Sequence, residues 1–227
     1  MESSNTPVSR AFGGIAFTFA DRGPEGDDRD DELHAVLREF ASGDETSGAR
    51  VVPSGLGWGG AGNAVVLVME WLALGAGAVN AIDYGISGVK SALAGARRVA
   101  TAWRELRGRT AQEPDLSLGA LAALCLVDLS TRIETLDGVA LVSAVDLMAG
   151  RGATLSHVGL GQPCVVLFAR DDHTWTYLVD SKGRLYSVAV GESLEWAWHF
   201  WETGRQSEKM HPTAKLLDGI DETELSD

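Results

Sequence analysis

The sequence predicts an α+β protein, because segments with the two-residue period of β-strands lie near both ends of the chain and long apolar helical segments lie between them. Hydrophobic residues make up 45% and charged residues 22% of the 227 residues, which is typical of a globular protein with a sizeable core. We therefore predict an N-terminal β-α-β unit, central apolar helices, and a C-terminal three-stranded antiparallel meander followed by an aromatic-rich helix.

The N-terminal unit is predicted from two short strands and one helix. Residues 11–19 alternate larger and smaller side chains, which is the pattern of a strand, and residues 49–53 form a second strand that Pro53 stops. Between them, a helix is predicted from apolar residues at helical spacing, namely Leu33, Val36, Leu37 and Phe40.

The central region, residues 64–106, is predicted to form two buried helices joined by a turn at Gly75 and Gly77. A membrane-associated protein that uses residues 64–95 is an alternative, because the apolar stretch approaches the ~20 residues that span a bilayer. Glu70 argues against this alternative, since a carboxylate at that depth costs about 2.5–3.5 kcal/mol.

The second half is predicted to begin with helices over 117–134 and 139–149. Three strands follow (CVVLFA, TWTYLVD and RLYSVAV) with short turns between them, and Ser193 caps a final helix. This order divides the chain into a β-α-β plus helical unit (1–107), a linker or loop (108–116), a unit of helices, meander and final helix (117–207), and an acidic disordered tail (208–227).

Cys125, His173 and Asp180 are the candidates for catalysis. In thiol hydrolases of the papain type, a cysteine at a helix start is activated by a histidine that begins a strand, and a carboxylate or amide orients the histidine. His173 precedes the strand TWTYLVD and Asp180 ends it, whereas Cys125 lies inside the apolar run ALAALCLV, where nothing lowers the pKa of a thiol. A thiol-dependent hydrolase is thus an alternative function, and we predict a protein that is not an enzyme.

The Asp171-Asp172-His173 segment is the densest group of titratable side chains. With His157 as a further ligand, it offers the donor types that bind a divalent metal. Aspartate is also favoured in hairpin turns on conformational grounds alone. We predict a solvated turn and no metal site.

The spacing of Gly55, Gly57 and Gly60 matches the G-x-G-x-x-G dinucleotide fingerprint. These glycines follow a predicted strand and precede a predicted helix, which is the context that the motif requires. Trp58 places a bulky side chain where the backbone must approach a pyrophosphate. No strand that ends in an acidic residue follows about 20 residues later, where ribose recognition needs one. We predict a connecting loop and no cofactor.

Aromatic residues are concentrated in the last strands and the final helix. Trp175 and Tyr177 share one face of a strand, while four aromatic residues within one helix cannot all face a single core stripe. We predict that Trp198 and Trp201 pack inward on the face that carries Trp175 and Tyr177. The predicted binding residues for a partner are Trp175, Tyr177, Trp196 and Phe200.

The charge of the chain indicates the class of partner. A formal net charge of -13 disfavours nucleic acid and favours a protein partner with a basic surface, while self-association of the chain stays open. The N-terminal MESSNTPVSR has no basic segment followed by an apolar one, so we predict a cytoplasmic location.

Residues 11–105 carry a resemblance to a known class of domains. The order β-helix-β, a glycine-bearing loop and the segment GNAVVLVMEWLALGAGAVNAI resembles the small effector-associated accessory domains of actinobacterial conflict systems. The segment VLFARDDHTWTYLVDSKGRLYSV is similar to a strand-turn-strand element of immunity-type proteins. The resemblance implies a non-catalytic adaptor, and it implies no catalytic residues.

Overall fold

The structure of the chain, a computed structural model, describes eight stretches of sequence. They are residues 15–20, 35, 49–55, 63–69, 82–107, 113–148, 161–206 and 210–220. Within these stretches the chain is an α+β protein with three α-helices and a five-stranded antiparallel sheet, which confirms the predicted class.

A four-stranded antiparallel sheet contains the N-terminal strands. Its members are β1 (Ile15–Ala20), β2 (Ala49–Gly55), β3 (Asn63–Met69) and β4 (Asp115–Leu116), in the order β2-β3-β1-β4. The helix predicted between β1 and β2 lies outside the described residues, except that Ala35 is helical. The prediction of a helix from residue 64 is wrong, because the valine-rich β3 is paired along its length with β1 and β2.

The first long helix, α1 (Ile82–Arg107), covers the later part of the predicted helical region. Val89, Leu93 and Ala100 are buried at helical spacing, so one side of α1 faces the core. Among the described residues, no helix combines the length and the apolar character that crossing a membrane requires. The predicted turn at Gly75 and Gly77 lies outside the described residues.

The second helix, α2 (Leu118–Arg132), lies where residues 117–134 predict it and forms the centre of the core. Ser117 caps its N-terminus, since the Ser117 hydroxyl accepts the Ala120 N–H at 3.2 Å. Residues 119–125 are all buried, because α2 contacts β1 of the first sheet, β5 and β6 of the second, and α1. A helix that is apolar on all sides is stable only in such an enclosed place.

The second sheet is antiparallel throughout. Its strands, in spatial order, are β5 (Ala140–Asp146), β6 (Pro163–Arg170), β7 (His173–Asp180), β8 (Arg184–Val190) and β9 (Ala214–Lys215). The meander β6-β7-β8 is confirmed. The prediction of a helix over 139–149 is wrong: Leu141, Ala144 and Val145 also fit helical spacing, but pairing with β6 makes this segment a strand.

The two faces of this sheet are covered by different helices. Trp175, Tyr177 and Val179 belong to the core cluster that contains α2. On the other face, the final helix α3 (Leu194–Gln206) packs through Ala197 and Trp201. The predicted packing of α3 on the tryptophan–tyrosine face is therefore wrong, since α2 occupies that face.

Part of the segment after α3 is folded, whereas the sequence predicts a disordered tail over 208–227. Residues 210–220 form β9 and a 3₁₀ helix (Leu216–Gly219), and Leu216, Leu217 and Ile220 are buried. The physical reason is tertiary, because these three side chains enter the core cluster that contains α1 and α2. We call residues 213–220 the C-terminal strap.

Candidate functional site

The structure does not bring Cys125, His173 and Asp180 together. His173 and Asp180 lie at the two ends of β7, about 23 Å apart at ~3.3 Å per residue. Cys125 is completely buried inside α2, and burial, followed by the nearby negative charge of Asp128, raises the pKa of its thiol well above the ordinary value. A nucleophilic thiolate assisted by this histidine is therefore incompatible with the geometry.

Asp180 is a structural acceptor in this fold. Its carboxylate is fully buried, and one oxygen accepts the N–H groups of Lys182 at 2.9 Å and Arg184 at 3.0 Å. The other oxygen accepts the Tyr186 hydroxyl at 3.1 Å. Burial and the Asp180 charge raise the pKa of Tyr186 to about 12, so the phenol keeps the proton that it donates.

Further charged groups surround this carboxylate. Glu113 accepts hydrogen bonds from Arg184 and from Lys215 of the strap, and Lys182 lies 2.8 Å from Asp115. Burial raises the pKa of Glu113, but the two cationic donors outweigh this effect and leave the pKa below its ordinary value. We call this group the polar cluster; its members are Glu113, Asp115, Asp180, Ser181, Lys182, Arg184, Tyr186 and Lys215.

The polar cluster was missed by sequence reasoning, which considered Asp180 only as a catalytic partner. One local signal was available, since Asp-Ser-Lys-Gly after a strand is typical of a turn in which aspartate binds the following N–H groups. Gly183 completes that turn with a φ of 72°. The participation of Glu113 and Lys215 depends on tertiary structure, because each lies far from the turn in sequence.

The Asp171-Asp172-His173 segment is an exposed hairpin turn. Asp171 has a φ of 50°, a left-handed conformation that aspartate tolerates. The His173 ring stacks on Trp175 with centroids 6.2 Å apart, and the Arg170 guanidinium lies 5.6 Å from the same indole. Over the described residues, which exclude His157, no three His, Cys, Asp or Glu side chains are grouped so that they could hold a metal ion.

The glycine motif does not have the structural context of a dinucleotide site. Gly55 ends β2, and the next described element is the strand β3, which pairs antiparallel with β2 so that Gly55 lies opposite Asn63. The fingerprint needs a helix after its loop, whose N-terminus binds the pyrophosphate. Gly57 and Gly60 lie outside the described residues.

Two of the four predicted binding residues lie in the core. Trp175 is 7% exposed and Tyr177 is fully buried, and the Tyr177 hydroxyl donates to Asp128 of α2 at 2.9 Å. Tyr177 also contacts Phe168 edge to face, with ring centroids 6.0 Å apart. These aromatic residues hold β6, β7 and α2 together, so their assignment as surface contacts is wrong.

The other two predicted binding residues form an aromatic pair on α3. The rings of Trp196 and Phe200, one helical turn apart, have centroids 5.2 Å from each other at an interplanar angle of 33°. Trp196 packs partly against the core cluster beneath α3, whereas Phe200 is 37% exposed. Trp198, for which the spacing predicts burial, is only partly buried. Trp201 is buried as predicted, but its ring contacts Tyr186 on the face of the sheet opposite to Trp175 and Tyr177.

In comparisons with protein families, with curated proteins and with solved structures, no match to this chain was found.

Proposed function

We propose that this chain is a non-enzymatic binding protein, an adaptor or inhibitor, that contacts a protein partner through the aromatic pair on α3. A role in a bacterial conflict or defence system is part of this proposal, and it follows from the resemblance described above. The formal net charge of -13 supports a partner whose surface is basic, because complementary fields accelerate and orient association.

One observation carries the proposal: Phe200 is exposed to solvent while its neighbour Trp196 anchors it to the core. Binding hot spots are enriched in aromatic residues that are held rigidly and surrounded by polar groups. The flanking side chains Glu195, His199 and Glu202 are exposed, and the two carboxylates add a negative rim. This arrangement suits a cationic surface with an apolar pocket.

The proposal is tested by quantitative capture of partners on the immobilised chain, followed by calorimetry with the partner that is enriched. Phe200→Ala should weaken that affinity by about 30-fold, which corresponds to a hot spot of ~2 kcal/mol. The melting temperature should change little, because the side chain is already partly exposed.

Val142→Ala is the matched control, since Val142 is another exposed apolar residue, 43% accessible, and lies on strand β5 rather than on α3. It should leave the affinity unchanged. Equal affinities for the Phe200 variant, the Val142 variant and the unaltered chain would contradict the assignment of the α3 surface. Glu195→Lys with Glu202→Lys should weaken binding further if the partner is basic.

A further inference from the structure

The C-terminal strap interacts with the rest of the chain in the way that a bound peptide does. Its strand β9 adds to the edge of β8, where Lys215 lies opposite Arg184 and Ala214 opposite Leu185. The Thr213 N–H donates to the Leu185 carbonyl at 2.7 Å. Addition of a strand to a sheet edge is a recurring mode of peptide recognition, in which main-chain hydrogen bonds supply affinity.

The apolar side chains of the strap are also buried in the way that those of a bound peptide are. Leu216, Leu217 and Ile220 are 7%, 9% and 4% exposed, and the 3₁₀ helix that follows β9 contacts both α1 and α2. The Leu216 N–H donates to the Gly183 carbonyl at 3.0 Å, and Arg97 of α1 donates to the Ile220 carbonyl. Pockets for a few side chains provide specificity in strand addition.

A carboxylate lies beside the apolar contacts of the strap. Glu113 stands beside β9 and accepts a hydrogen bond from Lys215, while its other oxygen is bound to Arg184. The groove therefore presents a carboxylate next to its apolar pockets, and the chain as a whole is acidic. An incoming segment that matches both features needs a cation directly before its apolar residues.

We propose that the strap is an intramolecular ligand that fills a peptide-docking groove formed by the edge of β8, Glu113, α1 and α2. An extended segment of a partner protein, with lysine or arginine followed by two large aliphatic residues, displaces the strap and takes its place. This groove is separate from the aromatic pair of α3. A result that refutes peptide docking in the groove therefore leaves the proposed binding through α3 untouched, and the reverse also holds.

The test uses the full chain with Leu216→Ser and Leu217→Ser, and as probe a synthetic peptide of residues 210–220, MHPTAKLLDGI. At about 1 mM, the peptide should raise the melting temperature of this variant and leave that of the unaltered chain unchanged, because the tethered strap outcompetes it there. A peptide with arginine for the lysine and Ile-Leu for the leucine pair should act like the native one. Peptides with lysine replaced by glutamate, or in scrambled order, should have no effect.

Hydrogen exchange on the unaltered chain is the second measurement, and it does not depend on the variant folding. The Thr213 and Leu216 amides should exchange about tenfold or more faster than the central amides of β7, since a displaceable strap opens without global unfolding. Equal exchange free energies, or the absence of any peptide effect on a folded variant, would overturn the proposal. Dimers of the unaltered chain that the two serine substitutions abolish would also overturn it, because the occupant would then be the strap of a second copy.

Discussion

Replacing Asp180 with alanine tests whether its carboxylate stabilises the fold, which is the role that the structure assigns to it. The carboxylate is fully buried and accepts three hydrogen bonds, from the main chain of Lys182 and Arg184 and from the Tyr186 hydroxyl. A hydrogen bond to a charged group contributes about 1.5–3 kcal/mol, but bonds that share one acceptor do not add fully. We expect Asp180→Ala to lower the free energy of unfolding by roughly 3–5 kcal/mol.

Two variants calibrate this value. Asp180→Asn keeps an oxygen that can accept the two main-chain N–H groups, so its cost should be about 1–2 kcal/mol. Asp172→Ala removes an exposed carboxylate from the turn at the opposite end of β7, and its effect should stay within about 0.5 kcal/mol. Urea unfolding followed by circular dichroism measures all three variants against the unaltered chain. If Asp180→Ala unfolds at the same urea concentration as Asp172→Ala, the structural role assigned to Asp180 is wrong.

Three further substitutions and one labelling experiment test other parts of the structure. Tyr177→Phe should lower the free energy of unfolding by about 1–2 kcal/mol in urea unfolding. Because burial raises the pKa of Tyr177, the unaltered chain should also lose stability as the pH rises above about 10. The Tyr177→Phe variant should lose less stability over the same pH range. Cys125 should react with a thiol reagent only as the chain unfolds, whereas fast labelling of the folded chain would show that the thiol is accessible. Gly161→Ala should destabilise by about 1–3 kcal/mol, since its Cβ would lie 2.8 Å from the Ser181 hydroxyl. Gly219→Ala, where a Cβ meets nothing within 4 Å, should be neutral or slightly stabilising in the same urea unfolding experiment.

The elements that sequence predicted correctly are those whose signal is local. Alternation in TWTYLVD places Trp175, Tyr177 and Val179 on one face, and short turns on either side make an antiparallel meander the simplest connection. The all-apolar run of α2 likewise predicts a buried helix. In each case the side-chain pattern and the nearest turn are sufficient.

The elements that were missed depend on partners far away in sequence. The runs of β3 and β5 fit both a helix and a strand, and only their neighbouring strands decide between the two. The strap has three large aliphatic residues among small and polar ones, a composition that is also typical of a disordered tail. Its burial requires a groove that α1, α2 and β8 supply. The helix α3 was predicted correctly, but the face of the sheet that it covers was not.

Glu113 links these distant segments, and its titration provides a test of that link. The carboxylate accepts hydrogen bonds from Arg184 on β8 and Lys215 on the strap, and its pKa in the folded chain lies below the ordinary 4.5. A depressed pKa means that the contribution of Glu113 to stability is present above pH 4.5 and is lost as the pH falls through the folded value. Acidification should therefore weaken the strap as well as the fold, and Glu113→Gln should remove part of this pH dependence while keeping an acceptor oxygen. Hydrogen exchange of the Thr213 and Leu216 amides at several pH values, corrected for the intrinsic exchange rate, measures the effect on the strap. Identical pH dependence of that exchange in the Glu113→Gln variant and the unaltered chain would show that the ion pair with Lys215 does not hold the strap in place.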